Sequence, residues 1–413
     1  MNDHLKKGAI LSLSLLLTTT FSISTAIPAM EAFYEGYSIN QVENLVSLPS
    51  LAIMLVIMLH PVISRSISRN VSIITGLILL FLTGIMPLFC QDYVYVFISR
   101  MLHGIGIGLI NVYAVTIINE SFSGNERTAM LGYRGAAEIL GNIVCTFIVG
   151  QILSLGFNWQ YSFLIYSASV PILILYLAYI KGSRETENAG SIRKGSLSAS
   201  GRNSGRSYTE PAAEIDDKVS GHTGGIDRAG SVRGYITAFI FFGLCGALIV
   251  GINCCNTVRI PSLVIEKGFG AEGEASLIAS IRLGAGFLAG IYYWRFEQLI
   301  GKKLQSVFFI ALGLGELLMA FSSNIVMLLF GTLIVGAAFS VLTTSVFQRS
   351  AEFFPPRISD RATTAILVGC NLGSGLASYV LYLIDRINGQ MYMSFLIFGI
   401  LFIPLGIILF FRN

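Results

Sequence analysis

Charge is scarce in this chain. Asp, Glu, Lys and Arg together make up 12% of its 413 residues, against about a quarter in ordinary soluble domains. With 54% hydrophobic residues and a mean hydropathy of +0.72, it cannot cover a water-facing surface, which excludes a soluble globular fold. Other absences narrow the function. No G-x-x-x-x-G-K-[ST] stretch occurs, so ATP-driven pumping by this chain is not expected. The histidines His4, His60, His103 and His222 are scattered. Cys90, Cys145, Cys245, Cys254, Cys255 and Cys370 all fall in apolar runs, none at a metal-ligand spacing in a loop, and they read as packing residues. Neighbouring Cys254 and Cys255 make a poor disulfide pair. An embedded enzyme would need clustered nucleophiles, metal ligands or paired acids near one interface. None is apparent, and neither metal nor cofactor is expected.

What the chain has instead is long apolar runs. At about 20 residues per crossing, spans fall near 8–30, 42–64, 71–90, 94–118, 129–153 and 161–180, then near 235–258, 275–294, 306–322, 326–346, 362–384 and 391–411. Lys6 and Lys7 precede the first run, but that run is longer than a secretion signal's core, so it reads as a retained helix. With twelve spans, some 21 Lys and Arg residues lie on the side of the N-terminus and three, Arg259, Lys267 and Arg386, on the other. This asymmetry predicts cytoplasmic termini in a cell membrane. It also accounts for the net charge of +4 without nucleic acid.

Residues 181–234 are rich in Gly, Ser and charge of both signs, and predict a disordered cytoplasmic linker between bundles at 1–180 and 235–413. Arg193-Lys194-Gly195-Ser196 reads as part of a tether, with a regulatory or lipid-binding site as the alternative. The second block echoes the first. A shift of about 232 positions aligns Gly104 with Gly336, Glu120 with Glu352 and Phe122 with Phe354. After a two-residue insertion, Glu126-Arg127 meets Asp360-Arg361, Gly135 meets Gly369 and Gly141 meets Gly375. Gly104, Gly108, Gly135, Gly141, Gly336, Gly369 and Gly375 are therefore the candidate helix-packing or gating positions, since small residues let helix backbones approach.

Local motifs carry a family resemblance. In the fourth span, Ile98-Ser-Arg100-Met-Leu-His103-Gly104-Ile-Gly106-Ile-Gly108 resembles motif B of the major facilitator superfamily, with His103 where Gln is common. The loop His60-Pro-Val-Ile-Ser64-Arg65-Ser-Ile67-Ser68-Arg69 stands at motif A but lacks its acid and second glycine. In the second half Gly301-Lys302-Lys303 survives without the Asp-Arg. Gly135, Gly141 and Gly150, with Trp159-Gln160-Tyr-Ser-Phe163 after them, resemble motif C of drug–proton antiporters, as does Ile27-Pro28-Ala29-Met30. Cys145-Thr146 replaces the expected Gly-Pro. The resemblance implies an all-α membrane protein of twelve helices in two pseudo-symmetric six-helix bundles, with a central site opened alternately to either side.

Ionisable residues inside a bilayer are costly and mark candidate sites. Glu138 is the first proton-coupling candidate and Glu43 the second; the resemblance would have Arg100 tune that charge, and His103 is a further candidate. Arg134 and Glu138, four apart, share a helix face and can neutralise each other. Arg282 and Glu316 lie at similar depth and could pair. Candidate cavity groups are Ser24, Thr25, Asn44, Ser47, Asn111, Tyr113, Asn142, Asn253, Asn256, Arg282, Thr344 and Asn371; each could instead bond a neighbouring helix. The reading is a monomeric secondary transporter moving protons and a small amphipathic molecule, by proton-driven efflux. Uptake of a polar metabolite such as a sugar or organic acid is the alternative, and a non-transporting receptor or sensor is the rival of another class.

Overall fold

The computed structural model describes residues 3–179 and 232–412, which contain helices and no strand. The linker reading and its basic run fall on residues 180–231, outside the described part; the linker's last residues, 232–234, already belong to a helix. Eleven described helices are long and apolar enough to cross a membrane. We label them α2 (Ile39–Ser66), α3 (Arg69–Phe89), α4 (Tyr93–Ser121), α5 (Ala129–Ser154), α6 (Trp159–Tyr179), α7 (Gly234–Glu266), α8 (Glu272–Ile291), α9 (Tyr293–Ala320), α10 (Ile325–Phe353), α11 (Arg361–Asp385) and α12 (Tyr392–Arg412).

The first expected span, α1, is present but broken. It is α-helical over Asp3–Ser12, turns over 13–18, tightens into a 3-10 helix over Thr19–Ala26 and resumes as α-helix over Ile27–Phe33. The cause is local. Ser12, Ser14, Thr18, Thr19, Thr20, Ser22, Ser24 and Thr25 crowd this stretch, and short hydroxyl side chains compete for backbone partners. Ser12 Oγ donates to Ala9 O (3.0 Å) and Thr19 Oγ1 to Leu16 O (2.8 Å). Freed carbonyls in hydrocarbon need other donors. Arg100 Nη2 donates to Thr20 O at 2.8 Å and Tyr166 Oη to Thr19 O at 3.2 Å.

α2 breaks once, between Ser47 and Pro49. Pro49 has no N–H, so the carbonyl of Leu45, four residues earlier, loses its helical donor. Arg100 Nε fills that place at 2.8 Å.

The duplication extends to helix ends. α4 and α10 are each 29 residues long, and their N-caps, Asp92 and Asn324, stand 232 positions apart and accept from the first turn of their helices. Gly104 of α4 lies on the Pro49 carbonyl of α2, and Gly336 of α10 on the Arg282 carbonyl of α8. Gly108 packs on Val56, and Gly141 on the backbone of Leu15. The glycine correspondence is incomplete, however. Gly369 meets the Gly243 carbonyl of α7, whereas Gly135 faces open space, and Gly375 meets Leu51 of α2 rather than α7.

Helices α1–α6 and α7–α12 pack chiefly among themselves, and the two groups meet where α2 crosses α11, α5 crosses α8 and α1 crosses α7. These crossings gather toward the end away from the described chain ends. There Gly150 lies against Ser276, Gly273 against Ser154, and Ser47 Oγ is 2.7 Å from Ser378 Oγ. Toward the terminal end, Gly132 and Gly135 of α5 and Gly284 of α8 have nothing beside them.

Candidate functional site: a cavity between two helix groups

A cavity of about 340 Å³ lies between the two groups. α1 contributes Thr18, Thr20, Phe21 and Ser24; α2 gives Ser50, α4 Asn111, and α5 Arg134, Glu138, Asn142 and Thr146. From the other group come Asn253, Cys254 and Thr257 of α7, Arg282 and Leu283 of α8, Phe339 of α10, and Cys370, Asn371 and Ser374 of α11. The break in α1 matters here. It lies along the wall, and Thr18, Thr20 and Ser24 of this segment face the chamber. Thr20 Oγ1 and Ser24 Oγ are buried with no partner in the protein. Thr18 presents open surface on the chamber wall.

Three of the charged side chains are cavity groups. Arg134 Nη2 and Glu138 Oε1 form an ion pair of 2.6 Å within one helix face, and Arg134 also donates to Asn111 Oδ1 at 3.2 Å. Glu138 is the one carboxylate among the described lining residues. Arg282 stands opposite on α8. It does not pair with Glu316. Its Nη1 donates to Asn253 Oδ1 (2.5 Å) and its Nη2 to Thr257 Oγ1 (2.6 Å), while Glu316 Oε1 accepts from Asn256 Nδ2 (2.5 Å). Each charge therefore has a polar partner on α7, which stands between them.

Of the residues singled out from the sequence, Ser24, Asn111, Glu138, Asn142, Asn253, Arg282 and Asn371 line the chamber. Thr25, Asn44, Ser47, Tyr113, Asn256 and Thr344 do not. Ser47 bridges to α11, Asn256 serves Glu316, and Thr344 Oγ1 turns back to the Ser340 carbonyl at 2.9 Å. Arg100 and His103 are also off the chamber. Arg100 is fully enclosed by Leu45 O, Thr20 O, the Tyr166 hydroxyl and the ring faces of Phe163 and Tyr166. His103 sits against the Tyr166 ring, with Nδ1 3.2 Å from Thr83 Oγ1.

Glu43 belongs to a second cluster, which seals the chamber at the end away from the described chain ends. Arg259 Nε meets Glu43 Oε1 at 2.6 Å, and Arg259 Nη2 pairs with Asp385 Oδ2. Asn40 Nδ2 donates to Asp385 Oδ2 at 2.8 Å. Glu43 and Asn40 come from α2, Arg259 from α7 and Asp385 from the end of α11, so the cluster ties the groups together. Sequence reasoning placed Arg259 in an outer loop, because it ended the seventh span at residue 258. The apolar run resumes at Ile260 and the helix continues to Glu266, which buries Arg259 to 1% exposure.

Residues 9–292 match the Major Facilitator Superfamily. No curated protein sequence matches the chain. Among solved structures, it is similar to a D-xylose–proton symporter, at 17% identity and a TM-score of 0.72, covering 97% of this chain and 95% of that one. It is also similar to the inward-open xylose transporter XylE from E. coli, at 16% identity and a TM-score of 0.69, covering 98% and 95%. A third is a peptide transporter POT in complex with sulfate, at 12% identity and a TM-score of 0.73, covering 98% and 93%. Such identities establish a shared fold. With the match over residues 9–292, they place the chain in the major facilitator superfamily, a membrane transporter family.

Proposed function

We propose that the protein is a monomeric secondary transporter working by alternating access, in which Glu138 couples proton movement to the solute. The observation that carries this reading is the chamber itself. Both helix groups wall it, one end is sealed, and Glu138, the one carboxylate among its described lining residues, is already paired with a cavity guanidinium. Protonation of Glu138 neutralises its side of the pair and frees Arg134, so proton and solute reach the chamber in linked order. A site complete within one chain supports the monomer.

The apolar walls at Phe21, Leu283 and Phe339, beside asparagines and hydroxyls, suit a small amphipathic solute. Export follows from the motif C pattern of α5, and the basic-residue asymmetry supports a cell-membrane location with the terminal end in the cytoplasm. A second reading, proton-driven uptake of a polar metabolite, is favoured by the similarity to a D-xylose–proton symporter.

The test is transport by the purified chain in proteoliposomes with an imposed pH gradient and labelled solutes. Net solute movement opposite to proton movement supports export by exchange, and movement with protons supports symport. Glu138→Gln is expected to leave solute exchange but lose acceleration by the gradient. Unchanged gradient-driven transport in Glu138→Gln sinks the coupling role.

A further inference from the structure

Arg282 is 3% exposed, faces the chamber, and has no carboxylate within ion-pair distance among the described residues. Its two terminal nitrogens rest on neutral oxygens of Asn253 and Thr257, and Nε has no partner. An ionised guanidinium removed from water is costly unless a counter-charge meets it. Every other charge on the chamber wall is already neutralised, since Arg134 and Glu138 pair with each other. Among the described residues Arg282 therefore has no counter-ion in contact with it, and Glu316, bonded to Asn256, acts on it only from a distance.

The fold does not require a base at this place. The duplication offset of 232 sets Ser50 of α2 opposite Arg282 of α8, and Ser50 lines the same chamber with a small hydroxyl. The glycine contacts shift this register by one, with Gly104 on Pro49 and Gly336 on Arg282, so the position matched to Arg282 is Ser50 by sequence offset and Pro49 by contact, and neither carries charge. The scaffold is repeated, but the charge is present in the second half alone. Asn253 and Thr257, one turn apart on α7, hold the guanidinium fork from one side and hydroxyl-bearing Ser374 lies on the same wall. Phe21, Leu283 and Phe339 supply apolar surface for the rest of a bound molecule.

We infer that Arg282 is the headgroup site of the transported solute, and that the solute is a small carboxylate-bearing amphiphile, bound through a guanidinium–carboxylate pair with its apolar body against Phe21, Leu283 and Phe339. The inference rests on the transport reading above and names its substrate class. Planar, bidentate pairing is the mode in which Arg recognises carboxylate, and such an acid is ionised at neutral pH.

The test uses the full chain in detergent, and titrates matched probes: benzoate, benzamide and benzylamine, then hexanoate, hexanamide and hexylamine. Binding is read by thermal stabilisation and calorimetry. At least one acid should bind tenfold or more tighter than its amide and amine. Arg282→Gln should erase that preference while the amides bind as before, and Arg282→Lys, which keeps the charge, should retain part of it. The inference is overturned if no acid binds, if amides or amines bind as well as acids, or if Arg282→Gln keeps the preference. Acid-selective binding without gradient-driven movement in proteoliposomes would count against the transport reading and leave the anion site standing.

Discussion

Removing Arg259 should open the sealed end of the chamber. Arg259 and Glu43 are 1% and 0% exposed, and Asp385 is 16% exposed at the side chain. In Arg259→Gln, two carboxylates of one buried cluster lose their shared cation. Breaking one partner out of a buried pair costs about 3–5 kcal/mol, here levied on the sealed state, because opening lets water reach Glu43 and Asp385. At 1.36 kcal/mol per decade, the ratio of sealed to open should fall roughly 150- to 5,000-fold, enough to invert a 100:1 preference. Spin labels at Tyr37 and Ile387, both exposed beside the cluster, would report the change as a longer distance in electron–electron resonance. A triple variant, Glu43→Gln with Arg259→Gln and Asp385→Asn, keeps polar groups without buried charge and should stay nearer the wild-type distance. An unchanged distribution in Arg259→Gln would refute the reasoning, and so would a triple variant as open as the single one.

Two more predictions follow from other residues. Arg100→Ala strands the Leu45 and Thr20 carbonyls, at about 1–3 kcal/mol each, so its thermal midpoint in detergent should drop by several degrees, and Arg100→Lys should recover only part; a midpoint within a degree of wild type would show that the carbonyls find other donors. Reporter fusions should place the loops around Glu266 and Asn388 outside the cytoplasm, and cytoplasmic signal at either would overturn the proposed orientation.

Much of this architecture is legible in the sequence, because bilayer thickness imposes a length on every apolar run. Eleven spans emerge as helical segments close to where the runs suggest, α2 with its break before Pro49 and α9 with a 3-10 turn at Gly301–Lys303. The twelfth, α1, is interrupted, and its signal was present in the Ser/Thr run from Ser12 to Thr25. Arg100 was legible as unusual but not as a backbone donor, although Pro49 four residues after Leu45 announces an orphaned carbonyl. The sealed cluster was not legible. Glu43 and Arg259 are 216 positions apart, and Asp385 ends its helix where a surface acid is expected, so only tertiary packing joins them. Arg282 and Glu316 illustrate the converse. Matching depth suggested a pair, but depth says nothing of azimuth, and α7 places Asn253, Thr257 and Asn256 between them.

The two halves share packing and differ in charge, and that division bears on how the molecule works. Packing repeats at an offset of 232: caps at Asp92 and Asn324, close approaches at Gly104 and Gly336. Similar crossings, α2 with α11 and α5 with α8, join the groups, and under the proposed alternating access they would let one group rock on the other. The buried bases do not repeat, although the loop acids Glu120 and Glu352 do. Position 100 carries Arg where position 332 carries Thr, and position 282 carries Arg where position 50 carries Ser. Had position 50 carried a base as well, the chamber would hold a further buried charge needing a counter-ion. With the Arg134–Glu138 pair on α5 and Arg282 on α8, the proposed proton coupling and solute binding would sit on opposite walls of the same chamber. Exchanging their positions, Ser50→Arg with Arg282→Ser, keeps the composition of the chamber while moving the base to the other half.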